Sequence, residues 1–404
     1  MEQISDARAL RGMEIAENGG IQQVDLNLYK VPAQWGSGCY TVNFGEQTPT
    51  CDCPDCQTRH VKCKHQWAVE YFLKWQRDEK GNVTVTQVKR ITYPQDWKSY
   101  TTAQTREVEL FDRLLKDLVQ NVEEEEYVFG RPKLNLRETT YCAIQKVYSG
   151  LSSRRARSLY KNAEKKEAIR KAPNYNAVNK LLNREDVKPI LQELLKLSSL
   201  PLKSVERDFA IDSSGFRTTQ FNEYCKEKHK TGKKHKWLKA HVMSGTKTNV
   251  ITSASITRDY HHDTNEFKPL VQSTYDNGFK ISEVSADKAY SSKSNLGLVD
   301  ELGGTPYIPF KENVRGTRTR GGSPIWTRMY HLFQYKNDEF MTHYHKRSNA
   351  ETVFHMVKMK FGDKVRSKNR VAQENELLCK FIAHNIVVLI HEMFELGIEP
   401  VFCS

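Results

Sequence analysis

Tyr344, Arg347, Glu351 and Lys358 constrain this chain more than any other set of residues. Gaps of two, three and six residues separate them, so in a helix the steps of three, four and seven bring all four to one face. One tyrosine, two cations and a carboxylate do not make a core-packing stripe, and a helix carrying them has to lay that face against a polar site. Upstream, two apolar runs each end in an aspartate: Phe209-Ala210-Ile211-Asp212 and Val284-Ser285-Ala286-Asp287. Both runs read as strands with the aspartate at the carboxyl end. Two strands and one helix would then deliver three carboxylates, Asp212, Asp287 and Glu351, to one place. Hard oxygen ligands of this kind suit Mg2+ or Mn2+, and cations beside them suit phosphate. The combination predicts metal-dependent phosphoryl transfer on a nucleic acid.

The remainder of the chain is consistent with that chemistry. At 404 residues it is long enough for two or three folding units. Its 62 Lys and Arg against 49 Asp and Glu leave a net charge of +13, which suits a polyanionic partner. The opening residues do not read as a signal peptide. Nine cysteines in such a chain favour metal binding in a reducing compartment over disulfides. Phe381 to Ile390 is the most apolar stretch, but it is short for a bilayer and contains His384 and Asn385. It reads as a buried helix, so no membrane partner is expected and the cytoplasm is the expected compartment.

Four regions follow from composition and pattern. Residues 1–80 form a cysteine-rich module, with strand-like alternation at Val24–Tyr29 and Cys39–Val42 and a helix from about His65. Residues 81–135 are polar, include Glu123 to Glu126, and read as a linker. Residues 136–200 are helical, with a turn at Ser149-Gly150-Leu151-Ser152 between two helices and a third opening at Pro173-Asn174. Helix, glycine turn, helix is the outline of a helix-turn-helix, and residues 153–171 carry eight Lys or Arg against two Glu. A basic solvated surface would show the same pattern. Residues 201–404 alternate strand and helix signals and read as an α/β domain with a mixed sheet. Lys311 to Arg328 is a basic, glycine-rich loop. Residues 226–239 hold seven Lys, either a DNA-backbone track or a solvated hairpin.

Within the first region, Cys51-x-Cys53 and Cys63-x-His65 supply four donors for tetrahedral zinc. Cys56 and His60 are spare ligands, so Cys53, Cys56, Cys63 and His65 form an alternative set. The segment resembles the SWIM zinc finger, in which Arg11-Gly12, Ile15-Ala16 and Gly19-Gly20 precede two strands and the Cys-x-Cys and Cys-x-His pairs. The resemblance implies a structural zinc bound by Cys51, Cys53, Cys63 and His65 in a module that contacts DNA or protein.

Residues 205–395 resemble the DDE transposases of bacterial and archaeal insertion sequences, in the group marked by Tyr-x2-Arg-x3-Glu-x6-Lys. Tyr344, Arg347, Glu351 and Lys358 match every spacing, and Asp212 in Ala-Ile-Asp-Ser-Ser-Gly and Asp287 in Ser-Ala-Asp-Lys-Ala-Tyr match the first two carboxylates. Trp237 to His241 and the pair His262-Asp263 are further landmarks. The resemblance implies an RNase H-like fold and Asp212, Asp287 and Glu351 as the Mg2+-binding catalytic triad. It also implies phosphate contacts from Tyr344, Arg347 and Lys358. The expected activity is cut-and-paste transposition of double-stranded DNA at terminal inverted repeats, by a homodimer assembled on the DNA ends and associated with a prokaryotic nucleoid. Only 63 residues separate Asp287 from Glu351, too few for the large β-rich insertion of some members. A nuclease of the same fold without strand transfer, or a domesticated zinc-finger DNA-binding regulator, are the alternative functions.

Overall fold

The short apolar alternations near the N-terminus and the longer ones after residue 200 build two separate sheets. The computed structural model describes residues 7–25, 28–34, 38–43, 49–59, 61–78, 96–124, 129, 134–218, 237–258, 262–311, 314 and 323–402. It divides into two units, Met1–Gln95 and Asp96–Ser404.

In the first unit, α1 (Ala7–Glu17) is followed by β1 (Gln22–Asp25), β2 (Leu28–Pro32), β3 (Cys39–Asn43) and β4 (Thr50–Cys51), then α2 (Pro54–Arg59) and α3 (Lys64–Asp78). The four strands form one antiparallel sheet in chain order. Val24–Tyr29, read above as one strand, is therefore split between β1 and β2. Gly12 lets α1 lie directly on α3, because a Cβ there would come 2.5 Å from Trp67 Cβ and 2.6 Å from the Lys64 carbonyl. The core of this unit is small: Ile15, Tyr29, Val31, Val42, Val69 and the buried cysteines.

The second unit opens with α4 (Trp97–Leu118), where a linker was expected. Ala103, Leu110, Phe111, Leu114, Leu115 and Leu118 recur at helical spacing and are buried. The polar composition around them masked this stripe. Glu124, from the acidic run, accepts the backbone N–H groups of Leu136 and Arg137 at 2.9 Å each, so it caps the next helix. Then come α5 (Leu136–Ser149), α6 (Ser153–Lys165), α7 (Tyr175–Leu182) and α8 (Val187–Ser199), with Gly150 in the left-handed region at φ 64° ending α5. These helices are not a free-standing module. Tyr141, Tyr160 and Leu191 share one core with the last helix of the chain.

The sheet of this unit comprises β5 (Asp208–Arg217), β6 (Trp237–Gly245), β7 (Ile251–Arg258), β8 (Glu283–Ala286) and β9 (Thr305–Tyr307), in the order β7-β6-β5-β8-β9. β7, β6 and β5 are antiparallel, while β5, β8 and β9 are parallel. Helices cover both faces. On one lie α9 (Thr264–Asp276), α10 (Lys293–Glu301), α11 (Pro324–Tyr335) and α12 (Asn337–Tyr344), around Phe209, Ile211, Val284 and Ala286. On the other lie α4 to α8, α13 (Ser348–Phe361) and α14 (Arg370–Glu395), around Phe216, Leu238 and Val242. The last residues of the expected loop at 311–328 belong to α11. Most of the lysine-rich segment 226–239 lies outside the described residues, as do Cys225, Cys403 and His261.

Among the described residues α14 is the one helix long and apolar enough to cross a bilayer, and 83% of its apolar window is buried inside the fold. Asn385 shows how it is held. Its Oδ1 accepts the Ile251 N–H at 2.9 Å, and its Nδ2 donates to the Ile251 carbonyl at 2.8 Å and to Ser198 Oγ at 3.0 Å. The amide thus pairs with the outer edge of β7 as a neighbouring strand would. Asn385→Ala would strand a buried backbone N–H and C=O, at about 1–3 kcal/mol each. The expected outcome is a fall in the urea midpoint equivalent to about 3 kcal/mol with an unchanged m-value; a midpoint within error of wild type would refute this role.

Candidate metal centre and active site

The Sγ atoms of Cys51, Cys53 and Cys63 and one ring nitrogen of His65 all lie within 4.8 Å of one another, and all four residues are buried. The strand β4 carries Cys51, Cys53 precedes α2, and Cys63 and His65 flank the start of α3. His65 Nδ1 sits 3.9 Å from Cys51 Sγ and 4.0 Å from Cys63 Sγ. Ideal tetrahedral zinc with bonds of about 2.0–2.3 Å separates its ligands by roughly 3.6–3.8 Å, so the donors are arrayed for that ion. The opposite ring nitrogen, Nε2, is buried with no hydrogen-bond partner among the described residues. A hydrogen bond from Cys51 draws the Cys63 thiol well below its usual range, so a thiolate is favoured at the centre of the cluster. Cys56, the spare thiol, is only partly buried and lies outside this quartet, and His60 is outside the described residues.

The carboxylates come together by strand register. β5 and β8 are matched up to Ile211 and Ala286, so the next residues, Asp212 and Asp287, stand side by side on strands about 4.8 Å apart. Asp287 directly follows the carboxyl end of β8 and caps the 3-10 turn Lys288–Tyr290. Asp212 does not end its strand: β5 continues to Arg217 because β6 remains paired with it through Arg217 and Trp237. What ends at Ile211 is the parallel neighbour, and that step in the sheet leaves Asp212 without a strand partner on the β8 side. Alternation then puts Asp212, Ser214 and Phe216 on the face covered by α13.

The polar stripe is not one helix. Tyr344 closes α12, Arg347 ends the 3-10 turn His345–Arg347, and Glu351 and Lys358 lie in the first and last turns of α13. It nevertheless reaches the same strand at two of its four residues, Arg347 and Lys358. Arg347 donates from Nη1 to Asp212 Oδ2 at 3.4 Å and from Nη2 to Glu351 Oε1 at 2.5 Å, bridging two of the three carboxylates. Its guanidinium also lies 5.8 Å from the Tyr344 ring centre. Lys358 Nζ donates to Ser214 Oγ at 2.7 Å, two residues beyond Asp212. Burial pushes the Asp212 carboxyl up; the Ser213 N–H and Arg347 oppose this, while Glu351 and Asp287 reinforce it. Asp212 therefore feels both of the other acids. Glu351 remains 57% exposed and turned to Arg347, so the triad is more open than the Cys/His cluster. Its oxygens are hard donors suited to Mg2+.

Several neighbours of the site lie in segments that the resemblance marked, though no role was assigned to them from sequence. Ser213 uses its N–H to hold Asp212 Oδ1 at 2.8 Å and its Oγ to reach Asp263 Oδ2 at 3.1 Å, and Lys239 pairs with Asp263. Tyr290, 1% exposed, is pushed up by burial, Asp263, Asp212 and Asp287. Lys346 Nζ contacts Asp208 Oδ2 at 2.7 Å and Glu283 Oε2 at 2.6 Å, stapling the 3-10 turn to the first residues of both parallel strands. His343 adds a contact to Glu283 at 2.9 Å. These anchors fix the residue after Lys346, which is Arg347. A basic residue beside Arg347 was the sole hint of them. His262 is exposed and enters none of these contacts.

Comparison with known families meets this geometry at both centres. Residues 203–386 match the model of the transposase DDE domain, and residues 40–74 match that of the SWIM zinc finger. The chain carries a transposase DDE domain and an N-terminal SWIM zinc finger. It is 25% identical over 213 residues to a probable transposase for insertion sequence element ISA1214 of Archaeoglobus fulgidus. The match covers 53% of this chain and 63% of that relative. No solved structure matches. The DDE match spans Asp212, Asp287 and Glu351, and the SWIM match spans the Cys/His quartet.

Proposed function

We propose that the chain is an insertion-sequence DNA transposase that cleaves element ends and transfers the strands, with Asp212, Asp287 and Glu351 as its catalytic carboxylates. The observation that carries this reading is the β5–β8 register, which sets Asp212 beside Asp287 while Arg347 links Asp212 to Glu351. The mixed five-stranded sheet with helices on both faces supports an RNase H-like catalytic domain. Mg2+ or Mn2+ held by the three carboxylates would activate the attacking oxygen and stabilise the leaving one. Arg347 and Lys358, with the Tyr344 hydroxyl, would bind the phosphates flanking the scissile bond and offset their charge. Ser213 and Asp263 would hold Asp212 in place through the contacts described above. Zinc at Cys51, Cys53, Cys63 and His65 would be structural, since four protein donors leave no open position. The partners are double-stranded DNA, as terminal repeats and target, and a second copy of the chain on the paired ends, in the cytoplasm at the nucleoid.

The test is cleavage of duplex DNA carrying the coding sequence's own flanks, in Mg2+, by wild type and by Glu351→Gln. Breaks at discrete flank positions, reduced at least about a thousandfold in the variant, are expected. Tight binding without cleavage by either protein, in Mg2+ or Mn2+, would replace the transposase with a DNA-binding regulator.

A further inference from the structure

A second polar site lies in the same unit, away from the carboxylates. An open cavity of about 450 Å3 lies between the α5–α6 turn, the end of α7 and the segment that leads from α13 into α14. Lys146, Arg366 and Lys368 line it together with Ser153, Asn179 and Asn369, and no carboxylate does. Lys146 Nζ and Ser153 Oγ both donate to Asn179 Oδ1, at 3.0 Å each, so the ammonium is met by a neutral amide oxygen. Among the described residues, Lys146, Arg366 and Lys368 form no ion pair. The buried Glu376 carboxylate nearby is occupied by the backbone N–H groups of Arg366 and Ser367, at 2.8 Å each.

Glu376 is the one carboxylate that Lys146 feels, and its two oxygens are taken up by backbone N–H groups, so the three cations around the concavity still repel one another unless an anion enters. Two helix ends add to the field. Both α6 and α14 begin at this cavity, and neither Ser152 nor Asn369 caps its helix with a side-chain hydrogen bond. Their first-turn N–H groups and dipoles also favour negative charge. From the cavity, α6 runs outward with Arg154, Arg155, Arg157, Lys161 and Lys165 exposed, while Ala156, Tyr160 and Ala163 face the core. The cations thus form a pocket followed by a track, which suits a repeating polyanion better than a single small ion.

We propose that this cavity seats a backbone phosphate of duplex DNA, with α6 following the same strand, as a docking site separate from the carboxylate centre. It rests on DNA being the substrate. Because residues 362–369 connect α13, which bears Glu351 and Lys358, to the pocket, DNA held there is tied to the helix that lines the active site.

The test uses the full-length chain in Mg2+-free buffer, so that binding is read without cleavage, and a 40-base-pair duplex of arbitrary sequence. Arg366 and Lys368 are exposed, so Arg366→Gln with Lys368→Gln should leave the melting temperature unchanged. The double variant should raise Kd about tenfold at near-physiological salt and flatten the slope of log Kd against log salt by about two, for two lost phosphate contacts. Lys268→Gln with Lys280→Gln, exposed on and after α9, removes equal charge and should change Kd less than twofold. An identical Kd and slope for the two double variants would overturn the site. Stabilisation of wild type but not the pocket variant by inorganic phosphate, with equal DNA binding, would overturn it in favour of a small-anion pocket. A wild-type chain that fails to bind duplex at low salt would sink this inference and the transposase reading together. Wild-type binding that the pocket variant retains would sink only this one.

Discussion

Asp212→Asn should lower DNA cleavage by at least about a thousandfold, about 4 kcal/mol of transition-state stabilisation, while leaving the chain as stable as wild type or slightly more so. The two halves of this expectation have separate causes. Asparagine keeps an oxygen for the Ser213 N–H, which now meets Asp212 Oδ1 at 2.8 Å, and gives up only the longer 3.4 Å contact from Arg347, which keeps Glu351 as its partner, so β5 has no reason to shift. It removes the charge a divalent ion needs. It also relieves a cost, because burial has pushed the Asp212 carboxyl above its usual value, with Glu351 and Asp287 adding to the effect. The native state therefore holds this proton more tightly than the unfolded chain does. The stability this group contributes is present below the unfolded carboxylate value and is lost as pH rises through the raised native one. Activity runs the other way, since the metal requires the ionised form: cleavage should fail on acidification at a higher pH than an ordinary carboxylate would dictate. Cleavage by the variant within tenfold of wild type, at any Mg2+ concentration, would remove Asp212 from the centre.

Cys63→Ser should abolish one equivalent of bound zinc and unfold the N-terminal unit, leaving residues 96–404 folded. Few apolar side chains sustain the first unit, and three of its buried core positions are the thiols Cys51, Cys53 and Cys63 themselves. Such a unit depends on the metal, whose apparent binding free energy in small zinc modules is about 10–16 kcal/mol. Losing one thiolate of four forfeits much of that. Amide exchange on the full-length chain should show protection lost across α1, the small sheet and α3 and retained in α14. Zinc content measured on the same sample decides the ligands. Retained zinc in Cys51→Ser with loss in Cys56→Ser would replace the quartet with Cys53, Cys56, Cys63 and His65.

Residues at fixed spacing were the legible part. Cys-x-Cys and Cys-x-His are short-range patterns whose ligands fall together wherever a turn joins them, and the structure gathers those four donors within 4.8 Å. The stripe from Tyr344 to Lys358 was legible for the same reason, although the chain bends through a 3-10 turn in the middle of it. The apolar runs Phe209–Ile211 and Val284–Ala286 located the strands that carry the two aspartates, and the stripe located the helix that carries Glu351. The helix α4 was missed because its apolar positions sit in a segment whose average is polar; period, and not composition, would have found it.

Local pattern in the amino-acid order was sufficient to propose Asp212, Asp287 and Glu351 for phosphate and metal chemistry and Cys51, Cys53, Cys63 and His65 for zinc. It did not bring Asp212 to Asp287, which are separated by 74 intervening residues, or Lys346 to Asp208 and Glu283. Those meetings depend on the parallel register of β5 and β8, which no local pattern encodes because it is set by which apolar residues share the core beneath the sheet. The same holds for the cation-lined cavity. Lys146 and Arg366 lie on helices and turns whose contact is decided by the packing of α5 and α7 against α14, and only in that packing do their unmatched charges face one space.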